Sequence, residues 1–266
     1  MNANESILSD GTCASVSGTG PALVFLHGVG LNQTIWAEQV KAFAPTYRVI
    51  AYDLLGHGSS AVISENATLE DWVLQLDNLT RDLSLDRFSL VGFSFGGMIA
   101  QAYAAKHADR IDRLVLMSTV YDRSGTERAN VIGRLEKARR EGPQAIIAPA
   151  LSRWFSPEFS AARPDLMQYY EAMLTKNSAV SFLAAYSCFA TGDQDLVGRL
   201  SSFDHPTLVM TGALDGGSTP DMAKKLAAKI PGARCFILPQ ARHMMPVEMP
   251  DEVNSVLRRF LNGQGP

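Results

Sequence analysis

No apolar run in the 266 residues approaches the roughly 20 needed to cross a bilayer, which argues against a membrane-spanning helix. Cysteine is scarce. Cys13, Cys188 and Cys235 are odd in number and lack metal-ligand spacing, so neither a disulfide framework nor a zinc site is expected. They read as reduced, mostly buried thiols of a cytoplasmic protein. Charge of one sign is also lacking: a net charge of −3 gives no reason to expect nucleic acid or an anionic membrane as a partner. The stretch MNANESILSDG is polar and slightly acidic, unlike a secretory signal or transit peptide. Internal repeats, low-complexity tracts and the GxxxxGK[ST] phosphate loop are absent. What remains is an ordinary globular balance of 46% hydrophobic and 19% charged residues. The length suffices for one large core, or a core with an insertion.

Short aliphatic runs recur with helical patterns between them. ALVFL (22–26), YRVIAY (47–52), FSLVG (88–92) and RLVLMS (113–118) read as buried strands. Apolar residues at helical spacing fill 35–43, 68–84 and 95–107, and the turn-rich DGTCASVSGTG (10–20) suggests an antiparallel hairpin. Strands alternating with helices imply an α/β fold with a mostly parallel sheet covered on both faces. After Thr119 the rhythm stops. Helices are expected near 125–141, 143–153, 163–176 and 178–191, with no strand. It then resumes with TLVMTG (207–212), a helix over 219–230, RCFILP (234–239) and a helix over 250–262. The expected organisation is a core over 1–120 and 206–266, interrupted by a helical cap over 121–205.

Gly92-x-Ser94-x-Gly96 follows a strand and opens a helix. On such a turn the central residue takes an unfavourable backbone conformation, and small flanking residues avoid collision. Ser94 is thereby lifted to the carboxyl edge of the sheet, where α/β folds place ligands. A hydroxyl attacks poorly unless a base takes its proton. Of the five histidines, His243 lies in a loop between the last strand and the last helix, long enough to reach across the edge. His107 and His205 read as a helix end and a strand lead-in, and His57 belongs to a glycine-rich turn. An acid must orient the imidazole. Asp215, just past strand 207–212, is favoured, with Asp122 after strand 113–118 as the rival. The oxyanion donors are expected to be the N–H groups of Phe95 and of Val29, within His27-Gly28-Val29-Gly30. His27 itself reads as structural.

With these motifs in place, the chain resembles the α/β-hydrolase superfamily. LVFLHGVG, DLLGHGSS, LVGFSFGGM, RLVLMST, TGALDGGSTP and ARHMMPVEMP fall in that family's order nearly end to end. The resemblance implies an eight-stranded, mostly parallel sheet flanked by helices, with a helical cap inserted after strand six. Serine at position 94 sets the chain apart from the dehalogenases and epoxide hydrolases, which carry aspartate there. Arg153-Trp154-Phe155-Ser156-Pro157, GALDGGSTP and PGARCFILPQARHM are similar to 3-oxoadipate enol-lactonases and related small ester or lactone hydrolases. That likeness implies acyl transfer through Ser94, and casts Arg153 as the partner of a substrate carboxylate and Trp154 as a pocket wall. No metal or organic cofactor is expected, and the partner is a small ester or lactone. Activity should fall at acid pH as a histidine base protonates. Two rival activities remain: a carbon–carbon bond hydrolase of the meta-cleavage type, and a low-turnover ligand-binding protein of this fold.

Overall fold

The structure, a computed structural model, describes residues 4–265; Met1 to Ala3, where the polar amino-terminal stretch begins, and Pro266 lie outside the described residues. Eight strands form one sheet: β1 (Asn4–Ile7), β2 (Cys13–Ser17), β3 (Ala22–Leu26), β4 (Arg48–Tyr52), β5 (Phe88–Phe93), β6 (Ile111–Met117), β7 (Thr207–Gly212) and β8 (Arg234–Leu238). Their spatial order is β1-β2-β4-β3-β5-β6-β7-β8. Strands β3 to β8 pair in parallel, whereas β1 with β2 and β2 with β4 are antiparallel. The expected hairpin is present with shifted strands. Asp10-Gly11-Thr12 is its turn, because Asp10 Oδ1 accepts the Thr12 N–H at 3.0 Å and Gly11 sits at φ 83°.

The central strands are buried on both faces, and alternation assigns their side chains to two cores. Leu23, Phe25, Val91 and Phe93 pack with Trp36, with Phe43 of α1 (Ala37–Phe43), and with Leu257 and Phe260 of α11 (Pro250–Leu261). Val24, Leu26, Leu90 and Leu116 pack on the other face with α2 (Leu69–Asp82), α3 (Phe95–Lys106) and α9 (Pro220–Lys229). Each such Leu or Phe contributes roughly 1.5–3 kcal/mol by leaving water. The edge strand β8 is exposed at its start, which leaves Cys235 exposed. The expectation of mostly buried thiols therefore holds for Cys13 but fails for Cys235.

Between β6 and β7 the chain is helical: α4 (Gly125–Glu141), α5 (Ile147–Trp154), α6 (Pro157–Ala162), α7 (Pro164–Lys176) and α8 (Ala179–Thr191). A capping box starts α4, in which Ser124 N donates to Glu127 Oε2 at 2.8 Å and Glu127 N to Ser124 Oγ at 3.3 Å. The helix expected over 143–153 opens as a 3₁₀ turn at Pro143–Ile146. The one expected over 163–176 is preceded by α6, which the sequence reading missed. Ser156 caps it through the Phe159 N–H, and Pro164 forces a break after Arg163. The segment's entrance and exit meet at a buried ion cluster. Asp193 accepts from Arg123 Nη1 at 2.9 Å and is gripped through both oxygens by Arg128 at 3.0 and 3.1 Å. Among the described residues no helix is long and apolar enough to cross a membrane. The final loop carries the short α10 (Met245–Glu248) ahead of α11.

Candidate active site

Every candidate residue of the core lies just past the carboxyl end of a parallel strand. Val29 follows β3, Ser94 follows β5, Asp215 follows β7 and His243 follows β8. Strand order does the rest, since β3 and β5 are neighbours and β7 adjoins β8. Val29, Ser94, Asp215 and His243 line one cavity, roofed by the helices between β6 and β7.

Ser94 has φ 55° and ψ −114°, a conformation that costs about 1–3 kcal/mol in a residue other than glycine. Neighbouring bonds hold it there. Its N–H donates to Met117 O at 2.9 Å, and its carbonyl accepts from Thr119 Oγ1 at 2.8 Å. Packing explains the surrounding glycines. A Cβ on Gly92 would stand 2.4 Å from Gly96 O, and one on Gly96 would stand 2.6 Å from the carbonyl oxygens of Leu26 and His27. The β3 loop lies directly against the turn, with a Cβ on Gly28 falling 3.1 Å from Ser94 Cβ. Among the described residues neither the Val29 N–H nor the Phe95 N–H donates a hydrogen bond within the protein. Both remain available to an oxygen in the cavity.

His243 Nδ1 lies 2.7 Å from Asp215 Oδ2. Asp215 Oδ1 accepts from the N–H groups of Gly217 at 2.8 Å and Ser218 at 2.9 Å, which fixes the carboxylate. With Nδ1 donating to this acceptor, Nε2 is left as an acceptor. The imidazole is flanked by the rings of Phe93 (centroids 4.9 Å apart) and Trp154 (5.9 Å). Its loop is held from both sides: Ser118 Oγ donates to His243 O at 3.4 Å, and Met244 N donates to Trp154 O at 3.0 Å. Ser94 Oγ makes no hydrogen bond to His243 among the described residues; such contacts commonly tighten only around a substrate. Asp122, the rival acid, is exposed, and the carboxylate that meets His243 Nδ1 is that of Asp215.

His27 and His57 stand behind the cavity as buried neutral rings. His27 Nδ1 donates to Gly28 O at 2.8 Å and Nε2 accepts the Leu54 N–H at 2.9 Å, so one tautomer uses both nitrogens. Burial pulls His27 down to about 4, against a smaller opposing effect of the Gly28 carbonyl. Burial, followed by the neighbouring His27, pulls His57 to about 3. His107 caps α3 and His205 lies beside Asp204, away from the cavity, as expected.

The helical segment supplies the remaining walls from four helices, with Leu174 the contribution of α7. Glu127, Asn130 and Arg134 project from α4, Ile147, Ala150, Arg153 and Trp154 from α5, and Phe182, Tyr186 and Phe189 from α8. Arg153 lines the cavity although more than a third of its surface is exposed, and its Nη1 donates to Pro149 O at 2.7 Å. The sequence reading missed Arg123, Glu127 and Arg134. Their signal was the spacing of 127, 130 and 134 beside the buried Val131 and Leu135 stripe. Among the described residues no cluster of three His, Cys, Asp or Glu side chains could hold a metal ion.

A poised serine, an oriented imidazole and two unused amide donors suit acyl transfer. Residues 21–250 match the family model of the alpha/beta hydrolase fold. An (E)-2-((N-methylformamido)methylene)succinate hydrolase of Acinetobacter baylyi is 30% identical, over 92% of this chain and 91% of that protein. The 3-oxoadipate enol-lactonase 2 of the same organism is 27% identical over 90% of each chain. Among solved structures, the enol-lactonase of Burkholderia xenovorans superposes with a TM-score of 0.86 at 29% identity, covering 97% of this chain and all of that one. The chain belongs to the α/β-hydrolase family of enzymes.

Proposed function

We propose that this hydrolase cleaves a small carboxylated ester or lactone through an acyl-enzyme on Ser94. The observation that carries the proposal is the shared cavity of Ser94 and a His243 whose Nδ1 is held at 2.7 Å by Asp215. Ser94 Oγ attacks the carbonyl carbon and its proton passes to His243 Nε2. The oxyanion takes the Val29 and Phe95 N–H groups, and Asp215 stabilises the imidazolium. Collapse breaks the bond to the leaving oxygen, which takes the proton back from His243; where this gives an enol, it then tautomerises to a ketone. Water, deprotonated by His243, attacks the acyl carbon and frees the acid and Ser94. Residues 121–205 act as a cap over a core formed by 1–120 and 206–266. Within the cap, Arg153 meets the substrate carboxylate and Trp154 walls the pocket beside the base.

Support comes from the site geometry and from the likeness to a hydrolase of a substituted succinate and to 3-oxoadipate enol-lactonases. The test is hydrolysis of p-nitrophenyl acetate by the wild-type and Ser94→Ala proteins. A loss on the order of 10⁴-fold or more is expected for the variant. Equal slow turnover by both proteins would point instead to a binding protein of this fold.

A further inference from the structure

The cavity presents more guanidinium donors than one substrate carboxylate can use. Three guanidinium groups line it, those of Arg123, Arg134 and Arg153. Arg123 is committed to Asp193 at 2.9 Å. The other two have no carboxylate within 4.0 Å among the described residues. Glu127 shares the lining, but its carboxylate is occupied by Ser124 N at 2.8 Å and Thr219 Oγ1 at 3.3 Å. Burial acts to raise Glu127, yet these bonds outweigh it and hold the carboxyl below its ordinary range, so it stays an ionised acceptor.

Each free guanidinium is steered by a single bond. Arg134 Nε donates to Tyr186 OH at 3.1 Å, and Arg153 Nη1 donates to Pro149 O at 2.7 Å. A guanidinium has five N–H donors, so each keeps four, including a complete Nη2 group. The two charges also feel each other: burial first, then Arg134, pulls Arg153 below the ordinary arginine range. Two like charges lining one cavity repel unless a ligand neutralises both. A monoanion would satisfy one and leave the other.

We propose that Arg134 and Arg153 form a paired anchor that selects dianionic substrates, short esters or lactones carrying two carboxylates, over singly charged ones. The proposal rests on the hydrolase assignment for this cavity. Arg153 on α5 and Arg134 on α4 line the same cavity and converge on Tyr186 of α8, which accepts from Arg134 Nε and whose charge is felt by Arg153. Phe182 and Leu174 add apolar wall to the same cavity, which suits the carbon chain of such a substrate.

The test reads binding, not turnover, and uses the Ser94→Ala protein. Calorimetric affinities are compared for succinate and glutarate against butyrate and valerate, diacids and monoacids of matched length. A diacid-to-monoacid affinity ratio of roughly 10 or more is expected, from one added charge-assisted pair. Arg134→Met and Arg153→Met should each bring that ratio below about 2. The ratio cancels any change in folded fraction. If Arg134→Met does not fold, Tyr186→Phe, which removes only the hydroxyl holding Nε, should lower the ratio severalfold. A wild-type ratio near 1, or a ratio that survives these substitutions, overturns the anchor. Failure of the hydrolase assignment would appear separately, as Ser94-independent turnover in wild-type protein.

Discussion

The sheet edge and the helical segment hold their halves of the cavity by different means. At the edge, backbone meets backbone: a Cβ on Gly96 would stand 2.6 Å from two carbonyl oxygens, and one on Gly212 would stand 2.2 Å from Ala241 O. In the helical segment, a Cβ on Gly125, Gly133 or Gly198 would meet nothing within 4 Å. The groups assigned to the reaction thus sit in backbone contacts that leave no space for change. The groups assigned to substrate choice are side chains on helix faces, which can be exchanged without moving a strand.

Removing the buried tie of the helical segment should break this contrast most strongly. Asp193 is fully buried and holds Arg123 and Arg128, so Asp193→Ala leaves two guanidinium groups without their partner. A loss of about 3–5 kcal/mol is expected. Limited proteolysis should then cut first within 121–205, and first cuts in the sheet region would refute the tie.

Acid should act on the other half. The folded pKa values of His27 and His57, about 4 and about 3, lie below the ordinary 6.5. Above pH 6.5 neither folded nor unfolded chain is protonated there, and nothing is lost. As pH falls from 6.5 towards 4, the unfolded chain takes up protons that the fold refuses, and stability declines. His27 alone accounts for about 3 kcal/mol across that window, about 2 of it by pH 5. Urea midpoints at pH 7 and pH 5, followed by fluorescence of the buried Trp36 and Trp72, should show the drop, and His27→Gln should roughly halve it, leaving the His57 share.

The smallest effects come from a matched pair of glycine substitutions. Gly96→Ala should destabilise by about 1–3 kcal/mol through overpacking against fixed carbonyls. Gly133→Ala, in the open interior of α4, should stabilise by roughly 0.5–1 kcal/mol. Thermal midpoints that shift in the same direction for both would erase the distinction between the two regions.

The same contrast explains what was legible in the sequence. Strand rhythm located β3 to β8 within about two residues, and with them the loops carrying Val29, Ser94, Asp215 and His243. Those positions follow from chain order and local backbone, which a linear string encodes. Arg134 could not be assigned in the same way. Its direction depends on how α4 packs against α8, and Tyr186, which holds it, lies 52 residues away. The placement of the Trp154 ring beside His243 likewise arises where α5 meets the last loop. The short α6 escaped notice because six residues fall below the length at which helical periodicity speaks.

The central claim, a nucleophile at Ser94 activated by His243, is tested most directly by covalent labelling. The protein is treated with diethyl p-nitrophenyl phosphate, and the site of modification is mapped by peptide mass spectrometry. One diethylphosphoryl group bound to Ser94 Oγ, formed as one equivalent of nitrophenolate leaves, absent from Ser94→Ala and strongly slowed in His243→Ala, is the predicted result. Labelling spread over other serines, or unchanged in rate without His243, would contradict it.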